Sequence, residues 1–225
     1  MRDLGTFFEK EDLTYLDNVT DFFYNHENIW KTAYLPSQER KSLQFNLSED
    51  LKSKAFSTLI NRGRLILDLF KYFDCKNFCE VGTAEGYQSY LIADYLKSEK
   101  IQGKSYSCDI RDVRNEKLKE EFQQQTCFVS GTSKEVSEKI IEDKNKIDLF
   151  WIDGDHRSGA VLKDLIRLAK VQAENCVWVF DDFDQRFGIY NELNFISTLG
   201  KSYKVPMGIT ASNNPNTILI VQGVI

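Results

Sequence analysis

From residue 76 onward, short apolar runs alternate with stretches whose apolar residues recur every three or four positions. Runs such as Ile147-Asp148-Leu149-Phe150-Trp151-Ile152 and Cys176-Val177-Trp178-Val179-Phe180 show little polar alternation. Strands of that kind are covered on both faces, as in a sheet held between helical layers. The pattern predicts strands at 77–81, 104–109, 126–130, 147–152, 175–180, 202–206 and 216–222. It predicts helices near 86–98, 112–124, 132–143, 158–171 and 187–199. Strand and helix in alternation imply an α/β fold with a doubly wound, mostly parallel seven-stranded sheet. The connection through Pro206 to Pro215 is short, so a hairpin there would make one of the last two strands antiparallel.

The first third of the chain reads differently. Phe7, Phe8, Tyr15, Phe22, Phe23, Tyr24, Trp30, Tyr34 and Phe45 are irregularly spaced, which predicts short helices and loops up to about residue 47. Ser48, followed by Glu49 and Asp50, is a fair N-cap for a helix reaching about Tyr72. Leu51, Ala55, Leu59, Leu65, Leu69 and Phe73 would line its buried face, with Gly63 as a weak point. The expected division is a helical, aromatic-rich extension over 1–75 and an α/β domain over 76–225. So many aromatics need cover. The extension is expected to fold over the carboxyl edge of the sheet or to form the interface of a homo-oligomer.

Composition narrows the class of protein. The 225 residues carry a net charge of −5 and no long basic run. That argues against nucleic acid as a partner, because neutralised phosphates supply most of such affinity. The longest apolar run, residues 176–180, is far too short to span a membrane. The opening residues do not make a signal peptide. No membrane association and a cytoplasmic location are therefore expected. The five cysteines include no C-x-x-C pair and read as buried reduced thiols.

The chemistry starts at Phe78-Cys79-Glu80-Val81-Gly82-Thr83-Ala84-Glu85-Gly86-Tyr87-Gln88-Ser89. An apolar strand meets a carboxylate, then two glycines four residues apart, then a helix. Such a strand–turn–helix cradles an adenosyl cofactor. A dinucleotide fingerprint would need glycines where Ala84 and Tyr87 stand. Glu80 and Glu85 would also repel a pyrophosphate seated on the helix N-terminus. They suit a cationic ligand without phosphate, and S-adenosylmethionine is one. Asp109 ends the second strand 29 residues after Glu80, where a carboxylate can accept both ribose hydroxyls. The next strand ends Ser130-Gly131-Thr132-Ser133-Lys134-Glu135, whose hydroxyls can also simply cap the following helix.

Strand four ends Asp153-Gly154-Asp155-His156, and strand five ends Asp181-Asp182. Carboxylates gathered at adjacent strand ends are costly unless something positive lies between them. A divalent cation is the economical answer, and three short oxygen donors suit Mg²⁺. His156 is one of only two histidines. With an ordinary pKa of about 6.5, it can accept a proton at neutral pH or serve only to cap its turn.

Glu80-Val81-Gly82 with Gly86 resembles motif I of the class I S-adenosylmethionine-dependent methyltransferases, and the stretch as a whole resembles the cation-dependent catechol-type O-methyltransferases. Ile152-Asp153-Gly154-Asp155-His156 also resembles the I-D-x-x-H turn of sugar- and antibiotic-tailoring methyltransferases. The resemblance implies cofactor contacts from Glu80, Gly82, Gly86, Tyr87, Ser89, Asp109, Ile110, Gly131, Ser133 and Asp153. It implies metal ligation by Asp153, Asp181 and Asp182. It places His156 where the catechol-type family has its catalytic lysine. Two departures stand out: Asp182 replaces a frequent Asn, and Ala173-Glu174-Asn175 replaces the usual Pro-Gly-Gly turn. The implied activity is Mg²⁺-dependent O-methylation of a small hydroxylated molecule. Two other readings stay open: a nicotinamide oxidoreductase on the same topology, and a non-catalytic module that keeps the cofactor.

Overall fold

The computed structural model describes residues 2–10, 62–209 and 215–223. The aromatics from Tyr15 to Phe45 and the helix start at Ser48 lie outside the described residues. Within them, a short helix α1 (Leu4–Lys10) and a helix α2 over 62–72 precede the sheet. Seven strands follow: β1 (Asn77–Val81), β2 (Lys104–Asp109), β3 (Thr126–Ser130), β4 (Ile147–Ile152), β5 (Gln172–Phe180), β6 (Lys201–Ile209) and β7 (Pro215–Gln222). Between them lie α3 (Tyr87–Ser98), α4 (Glu116–Glu121), α5 (Ser133–Glu142), α6 (Ala160–Leu168) and α7 (Tyr190–Ile196).

The strands form one sheet in the order β3-β2-β1-β4-β5-β7-β6. The first five run parallel, and β7 is antiparallel to both its neighbours. The expected mostly parallel, seven-stranded sheet with a terminal hairpin is therefore what the chain forms. The strand order reverses between β1 and β4, which opens a crevice at their carboxyl ends.

Continuous apolar strands feed two cores, one on each face. Phe78, Leu149, Trp151, Val177 and Ile220 pack with α1, α2 and α3 through Leu4, Phe7, Leu65, Leu69, Phe70 and Leu91. Cys79, Phe150, Trp178 and Leu219 pack on the other face with α5, α6 and α7. Phe150 and Trp178 stack at 4.0 Å between centroids. Each such ring contributes roughly 1.5–3 kcal/mol by leaving water. Cys75, Cys79, Cys108 and Cys176 are buried thiols, and burial pushes each pKa up. No described helix is long and apolar enough to cross a membrane.

The boundaries differ from expectation where polar chemistry intervenes. The expected helix at 112–124 shrinks to Glu116–Glu121, because Arg114 folds back on Asp112 and Asn115 caps the helix from its side chain. The expected helix at 158–171 ends in a 3₁₀ turn, Ala169–Val171. Strand β6 continues past Pro206 to Ile209, since an edge strand tolerates a missing donor; its register shifts between Pro206 and Gly208.

Candidate functional site

The turn after β1 is bound to the turn after β2. The amides of Gly82 and Thr83 both donate to the Cys108 carbonyl, at 3.0 and 3.2 Å. Thr83 Oγ1 adds a third bond to that oxygen. The Ala84 amide donates to Asp109 Oδ2 at 2.9 Å, and the Arg111 amide donates to Oδ1 at 3.2 Å. Asp109 is thus held by both oxygens, each of which keeps acceptor capacity for a further bond.

Glycine is needed here for two reasons. Gly82 has φ +88° and Gly86 +84°, a region that favours glycine. A Cβ on Gly82 would lie 2.0 Å from the Asp153 carbonyl oxygen. The β1 turn and the β4 turn therefore touch backbone to backbone. Gly86 is the N-cap of α3, and Tyr87 opens the helix as a buried residue. Ser89, in the first turn, donates its hydroxyl to Glu80 Oε2. Glu80 is 2% exposed. Burial, with the Asp153 and Asp109 charges adding, pushes its carboxyl up to about 8, although the Ser89 bond pulls the other way. Gln88 is also buried, and its Oε1 has no hydrogen-bond partner among the described residues. Ile110 stands 73% exposed at the lip of β2.

The turn after β3 is tied back to β2 and opens α5. Gly131 is tied back by its amide to the Asp109 carbonyl at 2.9 Å. Thr132, not Ser133, caps α5, in a capping box with Glu135. Ser133 is fully buried; its hydroxyl donates to Asp164 Oδ1 at 2.5 Å and accepts from Arg167 Nη1 at 3.2 Å. Its hydroxyl thereby joins α5 to α6, and burial of Asp164 in that contact raises the Asp164 pKa.

At the ends of β4 and β5 the acidic residues divide. Asp153, His156 and Asp182 form one group, with one ligand atom from each lying within 4.8 Å of the others. His156 Nε2 is 3.4 Å from both Asp153 Oδ1 and Asp182 Oδ2. The Asp153 contact raises the imidazole pKa most, with the charges of Asp153, Asp182 and Asp181 adding and burial opposing. Burial and the Asp181 charge push both Asp153 and Asp182 above the usual carboxylate range. Phe187 meets the imidazole edge-on at 4.8 Å. Glu192 on α7 holds the same turn by accepting from the Gly159 amide and Ser158 Oγ.

Asp181 stands outside that group, unlike the set expected from sequence. Its buried carboxylate is taken by Arg62 Nη2 at 2.8 Å and by Asn216 Nδ2 at 3.0 Å. Burying a carboxylate demands such partners. Arg62 and Asn216 were not among the candidate residues. A lone arginine in a helix carries no distinguishing signal, and Asn216 shows only as a polar residue at the head of an apolar strand.

Residues 79–183 match a family model described as a methyltransferase domain. No curated protein matches the chain by sequence. Among solved structures, an O-methyltransferase from Bacillus cereus in complex with SAH has a TM-score of 0.60 at 16% identity, covering 92% of this chain and 99% of its own. TomG from Streptomyces achromogenes, an O-methyltransferase involved in tomaymycin synthesis and solved with SAM, reaches 0.59 at 12% identity, covering 87% and 95%. Cofactor-bound Rv0187 from MTB reaches 0.56 at 12% identity, covering 98% and 96%. At these identities the likeness is one of fold.

Proposed function

We propose, from the premise that the chain carries a methyltransferase domain of the class I fold over residues 79–183, that it transfers the methyl group of S-adenosylmethionine to a hydroxyl of a small molecule. The observation that carries this reading is the shared wall at Gly82: the glycine turn beside Glu80 abuts the backbone of Asp153, which leads into the Asp153–His156–Asp182 group. A cofactor seat and a proton-handling, cation-attracting seat then adjoin on one sheet edge.

The residues present suit both groups. Gly82 and Gly86 leave a turn without side-chain bulk, Gln88 offers a buried unpaired oxygen, and Glu80 gains from a cation beside it. Asp109 has acceptor capacity for ribose hydroxyls. Asp153 and Asp182 supply carboxylate oxygens within the span of one ion, and His156 stands beside them as the base rather than as a ligand. Mg²⁺ or Mn²⁺ is the candidate. S-adenosylmethionine supplies an electrophilic methyl, and a divalent cation would acidify a nearby hydroxyl.

The chain supplies position and proton transfer. The turns after β1 and β2 hold the cofactor in register with the end of β4, which replaces a bimolecular encounter by an aligned pair. His156 takes the hydroxyl proton at Nε2, and Asp153 and Asp182 stabilise the resulting imidazolium. Phe187 keeps the ring from turning away. A net charge of −5 and the acidic site disfavour nucleic acid as acceptor.

The test incubates the protein with S-adenosylmethionine and a panel of hydroxylated metabolites and follows release of S-adenosylhomocysteine. Turnover should vanish in EDTA and return with Mg²⁺ or Mn²⁺. Absence of S-adenosylmethionine binding by calorimetry would sink the reading as a whole. Full turnover in chelator would remove the cation alone.

A further inference from the structure

Three consecutive residues at the head of β7 clasp the turn after β5. The Pro215 carbonyl accepts from Arg186 Nη2 at 2.9 Å, and the Thr217 carbonyl accepts from the Phe183 amide at 2.9 Å. Between them Asn216, 2% exposed, donates from one amide nitrogen to Asp181 Oδ1 and to Asp182 Oδ1, both at 3.0 Å. The Asn216 oxygen accepts from Arg62 Nε at 3.3 Å, so which end of the amide points at the carboxylates is fixed by the arginine behind it.

Asp182 needs such a hold. It has φ +54°, in the left-handed region that a residue with a Cβ rarely occupies. With Oδ1 anchored on Asn216, Oδ2 is the oxygen left to face His156 Nε2 at 3.4 Å. The Asp182 amide meanwhile donates to Asp181 Oδ1, and Arg62 pairs with Asp181 Oδ2. One carboxylate is thereby neutralised so that the next can be aimed.

We propose that Asn216, oriented by Arg62, is a positioning residue that aims the Asp182 carboxylate into the group with Asp153 and His156 and so sets its affinity for a divalent cation. This rests on the cation reading given above. Residues that orient ligands typically change metal affinity by about 10–100-fold when removed. Both Asn216 and Arg62 lie outside residues 79–183, the span matched to the methyltransferase domain.

The experiment uses the full chain, saturated with S-adenosylhomocysteine, and titrates Mn²⁺ by electron paramagnetic resonance. Asn216→Ala should weaken Mn²⁺ binding roughly 10–100-fold and leave affinity for S-adenosylhomocysteine, read by calorimetry, nearly unchanged. Asn216→Leu fills the space without a donor and should behave alike; it carries the test if the alanine variant does not fold by circular dichroism. Equal Mn²⁺ affinity in wild type and variant overturns the inference and leaves the cation site standing. Parallel loss of Mn²⁺ and S-adenosylhomocysteine binding also overturns it, because Asn216 would then support the fold as a whole. A wild type that binds no Mn²⁺ overturns the cation reading and this inference together.

Discussion

Around Glu80 and Asp109 the polar contacts join β1, β2 and α3, all within about thirty residues: Cys108 to Gly82 and Thr83, Asp109 to Ala84, Ser89 to Glu80. Around Asp182 they reach from Arg62 on α2 to Asn216 on β7. The first half of the edge is a local βαβ unit whose turns are held together mostly through backbone groups. The second is assembled from elements far apart in sequence, and it works through charge. Local closure suits a cofactor common to many enzymes of the fold.

The largest expected effect lies on the acidic side. His156→Ala should lower kcat by about 10²–10⁴-fold, the usual contribution of a positioned base. Cofactor affinity should change little, because the imidazole's contacts are with Asp153, Asp182 and Phe187. A pH–rate profile checks the role: wild type should show a limb near neutrality that His156 contributes, and that limb should disappear from the variant. If the limb stays and the rate is unchanged, His156 only caps its turn.

Gly82→Ala strikes where the two halves meet. Positive φ alone costs about 1–2 kcal/mol for a residue with a Cβ. Overlap with the Asp153 carbonyl adds about 1–3 kcal/mol. Chemical denaturation should show a combined loss of several kcal/mol, with cofactor binding and metal binding falling together. Loss of cofactor binding with Mn²⁺ binding intact would mean that the halves are less tightly joined than their backbone contact suggests.

What the sequence reveals follows the same division. Glu80, Gly82, Gly86 and Asp109 are legible because a turn between consecutive elements leaves its mark at fixed spacing. The strands are legible because two-sided burial demands unbroken apolar runs such as Phe150–Ile152. Asp181 and Asp182 are also legible as strand-end acids, but their division of labour is not. It depends on Arg62 and on Asn216, which lies 35 residues beyond Asp181, and no local pattern encodes that meeting. The Ser133 contact is hidden for a related reason: its partner Asp164 is 31 residues away on α6, and no local pattern marks that pairing.

Glu80 gives a pH test confined to the cofactor side. Its pKa rises from an ordinary 4.5 to about 8, so the folded protein keeps a proton across that window which the unfolded chain has lost. Stability should therefore fall as pH rises between about 4.5 and 8, and level off above. Asp153, Asp182 and His156 are raised as well and push in the same direction. Glu80→Gln should flatten part of the slope, and the difference between the two melting curves isolates Glu80. A cationic cofactor favours the ionised form, so its binding should release a proton and tighten as pH rises. Buffer-dependent calorimetry reads that proton, and no proton release would place the cofactor's charge away from Glu80.

The smallest effect separates capping from binding in the turn after β3. Thr132 accepts from the Lys134 amide at 3.3 Å, while Glu135 accepts from the Thr132 amide at 2.8 Å. Removing such a cap costs about 1 kcal/mol. Thr132→Ala should lower stability by that amount and leave cofactor affinity untouched. Ser133→Ala should cost more, because it strips the buried Asp164 of a donor, and a carboxylate left short of partners costs about 1–3 kcal/mol. Its effect on cofactor affinity should nonetheless be slight, since the hydroxyl points into the α5–α6 contact. A clear loss of cofactor binding in Ser133→Ala, with stability intact, would give that hydroxyl a part in the cofactor seat and extend the locally built half of the edge by one more turn.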